Sequence, residues 1–145
     1  MEESRDEDGR RPLTERERAQ LLDLPLTGIY STLTVDERIH SVPVHYLPVG
    51  GELRVLTGPE SVKCRNTRRI GRATLCVETT FGGTDRRYVS AEGPVSIEQP
   101  VSFEHLTALH LRYGYDGEEL DPIEFANSVM LVLRPERWIA WSDAD

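Results

Sequence analysis

The chain of 145 residues has little cysteine, few aromatic residues and no long apolar run. Its two cysteines, Cys64 and Cys76, form no CxxC pattern, so both read as free thiols in a reducing compartment. No apolar stretch approaches the roughly 20 residues that a membrane-spanning helix needs. The first twelve residues hold five acids and no apolar centre, so no secretory leader is expected there. The expectation is a soluble cytoplasmic protein. Positive charge is short as well: 17 basic residues stand against 25 acidic ones, a net charge of −8. Phosphate polymers and anionic membranes are held by positive fields, so neither nucleic acid nor membrane is an expected partner.

What is present describes one ordinary globular domain, with 38% hydrophobic and 29% charged residues. Residues 1–12 are charged with almost nothing to bury, and are expected as a disordered tail before a single domain over 13–145. Thr14-Glu15-Arg16-Glu17 matches a capping box, in which Thr14 accepts from an early helix N–H and Glu17 reaches back. The helix it opens runs to about Asp23, buries Leu21 and Leu22, and stops at Pro25.

From Thr27 the apolar period shortens to two. Residues 28–34 predict a strand, Asp36-Glu37 a turn, and 39–47 a second strand. Alternation puts Val42, Val44 and Tyr46 on one face of it and Ser41, Pro43 and His45 on the other. Pro43 and Pro48 mark an edge or a bulge, since proline donates nothing to a ladder. Gly50-Gly51 is a hairpin turn, and 52–57 the third strand. A helix over 61–71, a strand over 73–79, a Gly82-Gly83 turn and a long strand over 87–98 follow. A helix over 103–111 carries Leu106, Leu109 and His110 at helical spacing. An acidic, glycine-containing loop spans 114–120, a short helix lies near 123–126, a strand fills 129–133, and 137–141 closes the chain. About six strands with two or three short helices predict a mainly β fold, an antiparallel barrel or sandwich.

The densest chemistry lies in residues 61–72, where five of the seventeen basic residues occur with no acid. Arg65, Arg68, Arg69 and Arg72 are spaced to share one helix face, and Lys63 points elsewhere. A helix N-terminus following a strand leaves unpaired N–H groups and a favourable dipole for an anion. Thr57 and Ser61 add hydroxyls, and Lys63 adds a point charge. Three readings fit this pattern: a cofactor phosphate site, a solvated basic helix with Ser61 as its cap, or a nucleic-acid face. His40 and His45 fall on opposite faces of a strand, and His105 and His110 miss the i, i+4 spacing of a helical metal pair, so no metal site is expected. Cys64 reads as a packed thiol, and Trp138 and Trp141 either cover a ring or belong to an apolar core.

Five stretches in order along the chain, 27–34, Ser41-Val42-Pro43-Val44, Val55-Leu56-Thr57, 61–73 and Tyr88-Val89-Ser90-Ala91-Glu92-Gly93, resemble the split-barrel oxidoreductases related to pyridoxamine 5′-phosphate oxidase. The lysine-x-arginine-asparagine run at Lys63 is most similar to the deazaflavin-using branch. The resemblance implies a six-stranded antiparallel split β-barrel of the FMN-binding type. It further implies a bound deazaflavin F-420 or FMN, hydride transfer to or from a small organic molecule, and a homodimer with its sites at the interface. Ser41, Val42, Pro43 and Val44 would lie along the ring. Thr57, Ser61 and Lys63 would grip the phosphate. Arg65 and Arg68 would meet either the acidic tail of the deazaflavin or the partner chain, and His45 would reach a ring nitrogen or carbonyl. No catalytic residue is implied. Val62 replaces a second basic residue of the true oxidases, and Ile70-Gly71 replaces the family's acidic-proline turn. The end at Trp141-Ser142-Asp143-Ala144-Asp145 lacks their arginine-bearing segment, so vitamin B6 oxidation is not expected.

Overall fold

The computed structural model describes residues 9–115 and 125–144. In chain order the elements are β1 (Arg11–Pro12), α1 (Glu15–Asp23), β2 (Gly28–Leu33), β3 (Ile39–Val44), β4 (Leu47–Val49), β5 (Glu52–Thr57), α2 (Val62–Ile70), β6 (Arg72–Phe81), β7 (Asp85–Glu98), α3 (Phe103–Arg112), β8 (Val129–Leu133) and β9 (Arg137–Ser142). The strands run β3-β2-β6-β7-β8-β5-β4, every neighbour antiparallel, and β9 pairs with both β7 and β1. β3 and β4 are the free ends of that path, so the barrel is split rather than closed. The edge positions foreseen for Pro43 and Pro48 are the ones they occupy. No helix among the described residues is long and apolar enough to cross a membrane.

Alternation builds the core. Ala73, Leu75 and Val77 of β6 and Val89 and Ala91 of β7 point inward, and β8, flanked by β5 and β7, is buried along its whole length. Leu21 and Leu22 close one side, from a helix whose Thr14–Glu17 capping box is formed as read. Gly50 and Gly51 both have positive φ, 57° and 84°, which a two-residue hairpin between Val49 and Glu52 requires.

β7 is the strand on which the architecture turns. Residues 87–92 pair with β9 and 95–98 pair with β8, while β6 follows its other edge. Between the two sets lies Gly93, crossed by the link from β8 to β9: the Arg134 N–H donates to Pro94 O at 3.0 Å and the Glu136 N–H to Glu92 O at 2.8 Å. A Cβ on Gly93 would stand 2.1 Å from Arg134 O, inside any permitted contact.

Four expectations are corrected. The described residues form nine strands rather than six. The strand read over 39–47 breaks after Val44, because the fully buried Tyr46 gives its N–H to the Tyr113 hydroxyl at 3.0 Å and its own hydroxyl to Leu24 O at 3.1 Å. Arg11 and Pro12, read as tail, pair with Ser142 and Trp141, and Arg11 donates to both Glu17 carboxylate oxygens at 2.8 and 3.0 Å. That guanidinium holds the Glu17 carboxyl down to about 2. The four-arginine helix face does not form, because α2 ends at Ile70 with Gly71 left-handed, and Arg72 begins β6 bonded to Glu92 and Glu136, each at 2.9 Å. Residues 123–124 of the expected short helix and 116–120 of the acidic loop fall outside the described residues, and 125–127 form a turn.

Gly93→Ala should destabilise the fold by about 1–3 kcal/mol or more, because a backbone carbonyl has no flexible end to move aside. Urea unfolding of the variant against the parent chain would measure it, and an unchanged midpoint would contradict the crossing.

Candidate functional site

Helix α2 is seated by polar bonds on its inner side. The Thr67 hydroxyl donates to Lys63 O at 2.7 Å, so its single hydrogen is used. The Tyr30 hydroxyl, 2.8 Å away, must therefore be the donor of that pair. Burial pushes the Tyr30 phenol up to about 12, which keeps this proton in place. The Asn66 amide donates to Thr32 Oγ1 at 3.1 Å. These bonds tie the helix to β2 and set the register in which Lys63 projects.

At its start, Ser61 caps the helix and accepts from the Cys64 N–H at 3.2 Å and from the Thr57 hydroxyl at 2.8 Å. With both lone pairs engaged, the Ser61 proton is left to donate outward. Thr57 has used its own and acts by holding Ser61.

Beside this helix start lies a cleft of about 360 Å³. It is walled by Pro43, Val44 and His45 where β3 ends, Leu56 of β5, Lys63 of α2, Leu109 and His110 of α3, and then Tyr113, Tyr115 and Phe125. Among the described residues no carboxylate lines it, although the chain carries a net charge of −8. Partial burial lowers the pKa of the Lys63 ammonium from the ordinary lysine value of 10.5, as expected of a cation short of water.

The far wall is pinned by two neighbouring residues. Arg112 donates to Leu22 O, Asp23 O and Leu24 O at 2.8, 2.9 and 2.6 Å, satisfying the carbonyls that α1 leaves open at its end. The Tyr113 hydroxyl accepts the Tyr46 N–H and donates to Leu26 O at 2.8 Å, and its ring stacks on His45 at 3.9 Å and 6°. The His110 Nδ1 lies 3.0 Å from Leu106 O, and its ring meets Tyr115 and Phe125 edge-on.

Of the residues singled out in the sequence, Pro43, Val44 and Lys63 line this cleft, and Thr57 and Ser61 stand at the helix start beside it. Val42 packs on the core instead, and Ser41 sits on the outer sheet face against Ser31 at 2.7 Å. Arg65 is exposed, with no partner among the described residues. Arg68 is exposed and donates to Pro59 O at 3.3 Å. His45 lies in the cleft, whereas Trp138 lines a separate groove beneath α1, with Arg18 4.1 Å above its ring. Sequence reading missed Leu56, Leu109, His110, Tyr113, Tyr115 and Phe125 as cleft residues. The one available signal was a cluster of rings, His110, Tyr113 and Tyr115, in a chain only 7% aromatic.

No protein-family profile matches the chain, and no curated protein matches it. Solved structures do. The conserved hypothetical protein Rv2991 of Mycobacterium tuberculosis superposes with a TM-score of 0.76 at 25% identity, over 95% of this chain and 89% of that one. An F-420 reductase superposes at 0.70 with 24% identity, over 83% and 94%. A FAD-binding protein of Mesorhizobium loti superposes at 0.73 with 19% identity, over 93% and 99%.

Thr67→Val would leave the buried Tyr30 hydroxyl without its acceptor and should cost about 1–3 kcal/mol. Chemical denaturation would read this as a lowered midpoint, and no loss would mean that α2 is held by its apolar contacts alone.

Proposed function

We propose that this chain, whose fold is the split barrel of the pyridoxamine 5′-phosphate oxidase-like flavin proteins, binds deazaflavin F-420 or FMN in the Lys63 cleft. The observation that carries the reading is convergence. The β3 segment Pro43–Val44 and the start of α2, two separate elements, meet at one cleft that has a partly desolvated lysine and no carboxylate among its described residues. The residues suit such a ligand. Ser61 has a free donor, Lys63 has a charge to neutralise, and the stacked His45 and Tyr113 rings offer a flat wall for a planar ring system. A volume of about 360 Å³ lies at the low end for ligand clefts, as befits one subunit's share of a site. When bound, the cofactor supplies hydride transfer to or from a small organic molecule; the protein binds, orients and excludes water.

A homodimer belongs to the same proposal. Cross-strand register lines up Pro43, Ile29, Cys76, Ser90 and Ile139 across β3, β2, β6, β7 and β9 on the outer sheet face. Ile29 and Ile139 are 41% and 50% exposed there, and Ile39 nearby is 79% exposed. Pro43 belongs both to this row and to the cleft wall, so a second copy seated on the face would adjoin the cofactor.

The test is titration of the chain with F-420 and, separately, FMN, followed by cofactor fluorescence. Tight binding of one is expected, and binding of neither by folded protein would remove the reading. Turnover with a reductant and acceptor pair then separates an oxidoreductase from a non-catalytic carrier. Lys63→Ala should lose roughly 1.5–3 kcal/mol of binding, about ten- to a hundredfold in Kd. Because the Lys63 pKa is lowered, its charge is lost at a pH below 10.5, so affinity should fall in the alkaline range. Lys63→Arg should abolish that fall, since a guanidinium stays charged.

Sedimentation equilibrium should give twice the chain mass, and Ile29→Lys should shift it to monomer. A monomeric parent chain would contradict the dimer.

A further inference from the structure

His110 is the cleft residue whose geometry the binding of a cofactor does not use. Its Nδ1 lies 3.0 Å from Leu106 O. A carbonyl oxygen only accepts, so Nδ1 carries hydrogen and the other nitrogen, Nε2, is the one that gains and loses a proton. Two aromatic rings flank it edge-on: Tyr115 at 5.7 Å and 63°, and Phe125 at 5.2 Å and 77°. Nε2 has no hydrogen-bond partner among the described residues, and the ring lines the same cleft as Lys63. One anchored nitrogen and one free nitrogen facing a ligand space make an arrangement suited to proton transfer.

Resting on the reading that this cleft holds a reduced flavin or deazaflavin, we propose that His110 is its proton donor, protonating the acceptor through Nε2 as hydride is delivered. An activated alkene gains hydride from the reduced cofactor at one carbon, where a C–H bond forms. Its π pair moves toward the adjoining carbonyl to give an enolate. The Nε2–H bond of the imidazolium breaks, that proton bonds to the enolate, and neutral imidazole remains with Nδ1–H still on Leu106. Two electrons leave the cofactor and two enter the alkene. One proton is released to solvent on the cofactor side, and one from solvent restores Nε2–H.

Among the described residues, the other titratable groups around the cleft are less suited. The Tyr113 hydroxyl is engaged with the backbone of Tyr46 and Leu26, and the His45 ring lies flat against Tyr113. Lys63 stands at the helix start with Ser61, where the phosphate is placed. Tyr115, 53% exposed, lies at the rim and abuts His110 by its ring.

The experiment compares the cofactor-loaded chain with His110→Gln, whose amide can still donate to Leu106 O. Stopped-flow reoxidation of the reduced cofactor by cyclohex-2-enone is followed across pH, alongside the Kd of the oxidised cofactor. The expected result is a Kd within about twofold of the parent and a reoxidation slowed by about a hundredfold or more. The parent should show a rate that falls as pH rises, and the variant should not. Long-range proton–nitrogen NMR of the loaded, oxidised parent should show protonated Nδ1 and an Nε2 resonance that moves when cyclohex-2-enone is added. An unchanged rate and pH profile in the variant, or an Nε2 resonance indifferent to the enone, would overturn the assignment while leaving cofactor binding intact. Reoxidation by the parent no faster than that of free reduced cofactor would overturn it too. Failure of the parent to bind either cofactor would instead overturn the reading on which it rests.

Discussion

Strand β7 serves three neighbours, and it does so because nothing projects from Gly93. β6 follows one edge of the strand from Asp85 to Pro94, while the other edge changes partner from β9 to β8 about Gly93. The link between β8 and β9 must cross close over the strand there, and its two backbone bonds to Glu92 and Pro94 are possible only at a separation that excludes a side chain. Were the crossing wider, β8 would not lie between β7 and β5, and β5 would not deliver Thr57 and Leu56 to the start of α2. The split in the barrel, and the cleft beside it, follow from that close approach.

Two polar anchors then turn an opening into a shaped site. On one wall, the Tyr30–Thr67–Lys63 O chain fixes α2 by buried hydrogen bonds that have no alternative partner in water. On the other, Arg112 closes the end of α1 and Tyr113 holds the bend at Tyr46, so α3 and its cleft residues are tied to the core by backbone groups. Apolar contact alone would allow either helix to slide. Directional bonds to particular carbonyls do not.

Charge is distributed to match. Several acids pair with arginines on the strands, Glu92 and Glu136 with Arg72 and Glu98 with Arg54, and the charged or titratable nitrogens among the described cleft residues are those of one lysine and two histidines. A chain of net negative charge can therefore present a local site for an anion, because screening in water makes the nearest groups decisive.

The sequence by itself determined most of the long strands, the hairpin turns and the helix caps, because these rest on local rules: alternation in β6 and β7, paired glycines at Gly50-Gly51, the Thr14–Glu17 box, and Ser61 before α2. Charge density marked the stretch 61–72, and the family resemblance picked out Lys63 within it. Only the tertiary structure decided which of the marked residues share a site. Arg72 left the helix face because Gly71 ended the helix first and Glu92, two positions along the β6–β7 ladder, lay within reach of its guanidinium. The strand at 39–47 broke because Tyr46 was drawn into the core by Tyr113, 67 residues away. His110, Tyr113 and Phe125 joined Lys63 because α3 docks on the end of α1. Contacts between residues so far apart leave no periodic trace in the chain, since each depends on the geometry of several elements at once.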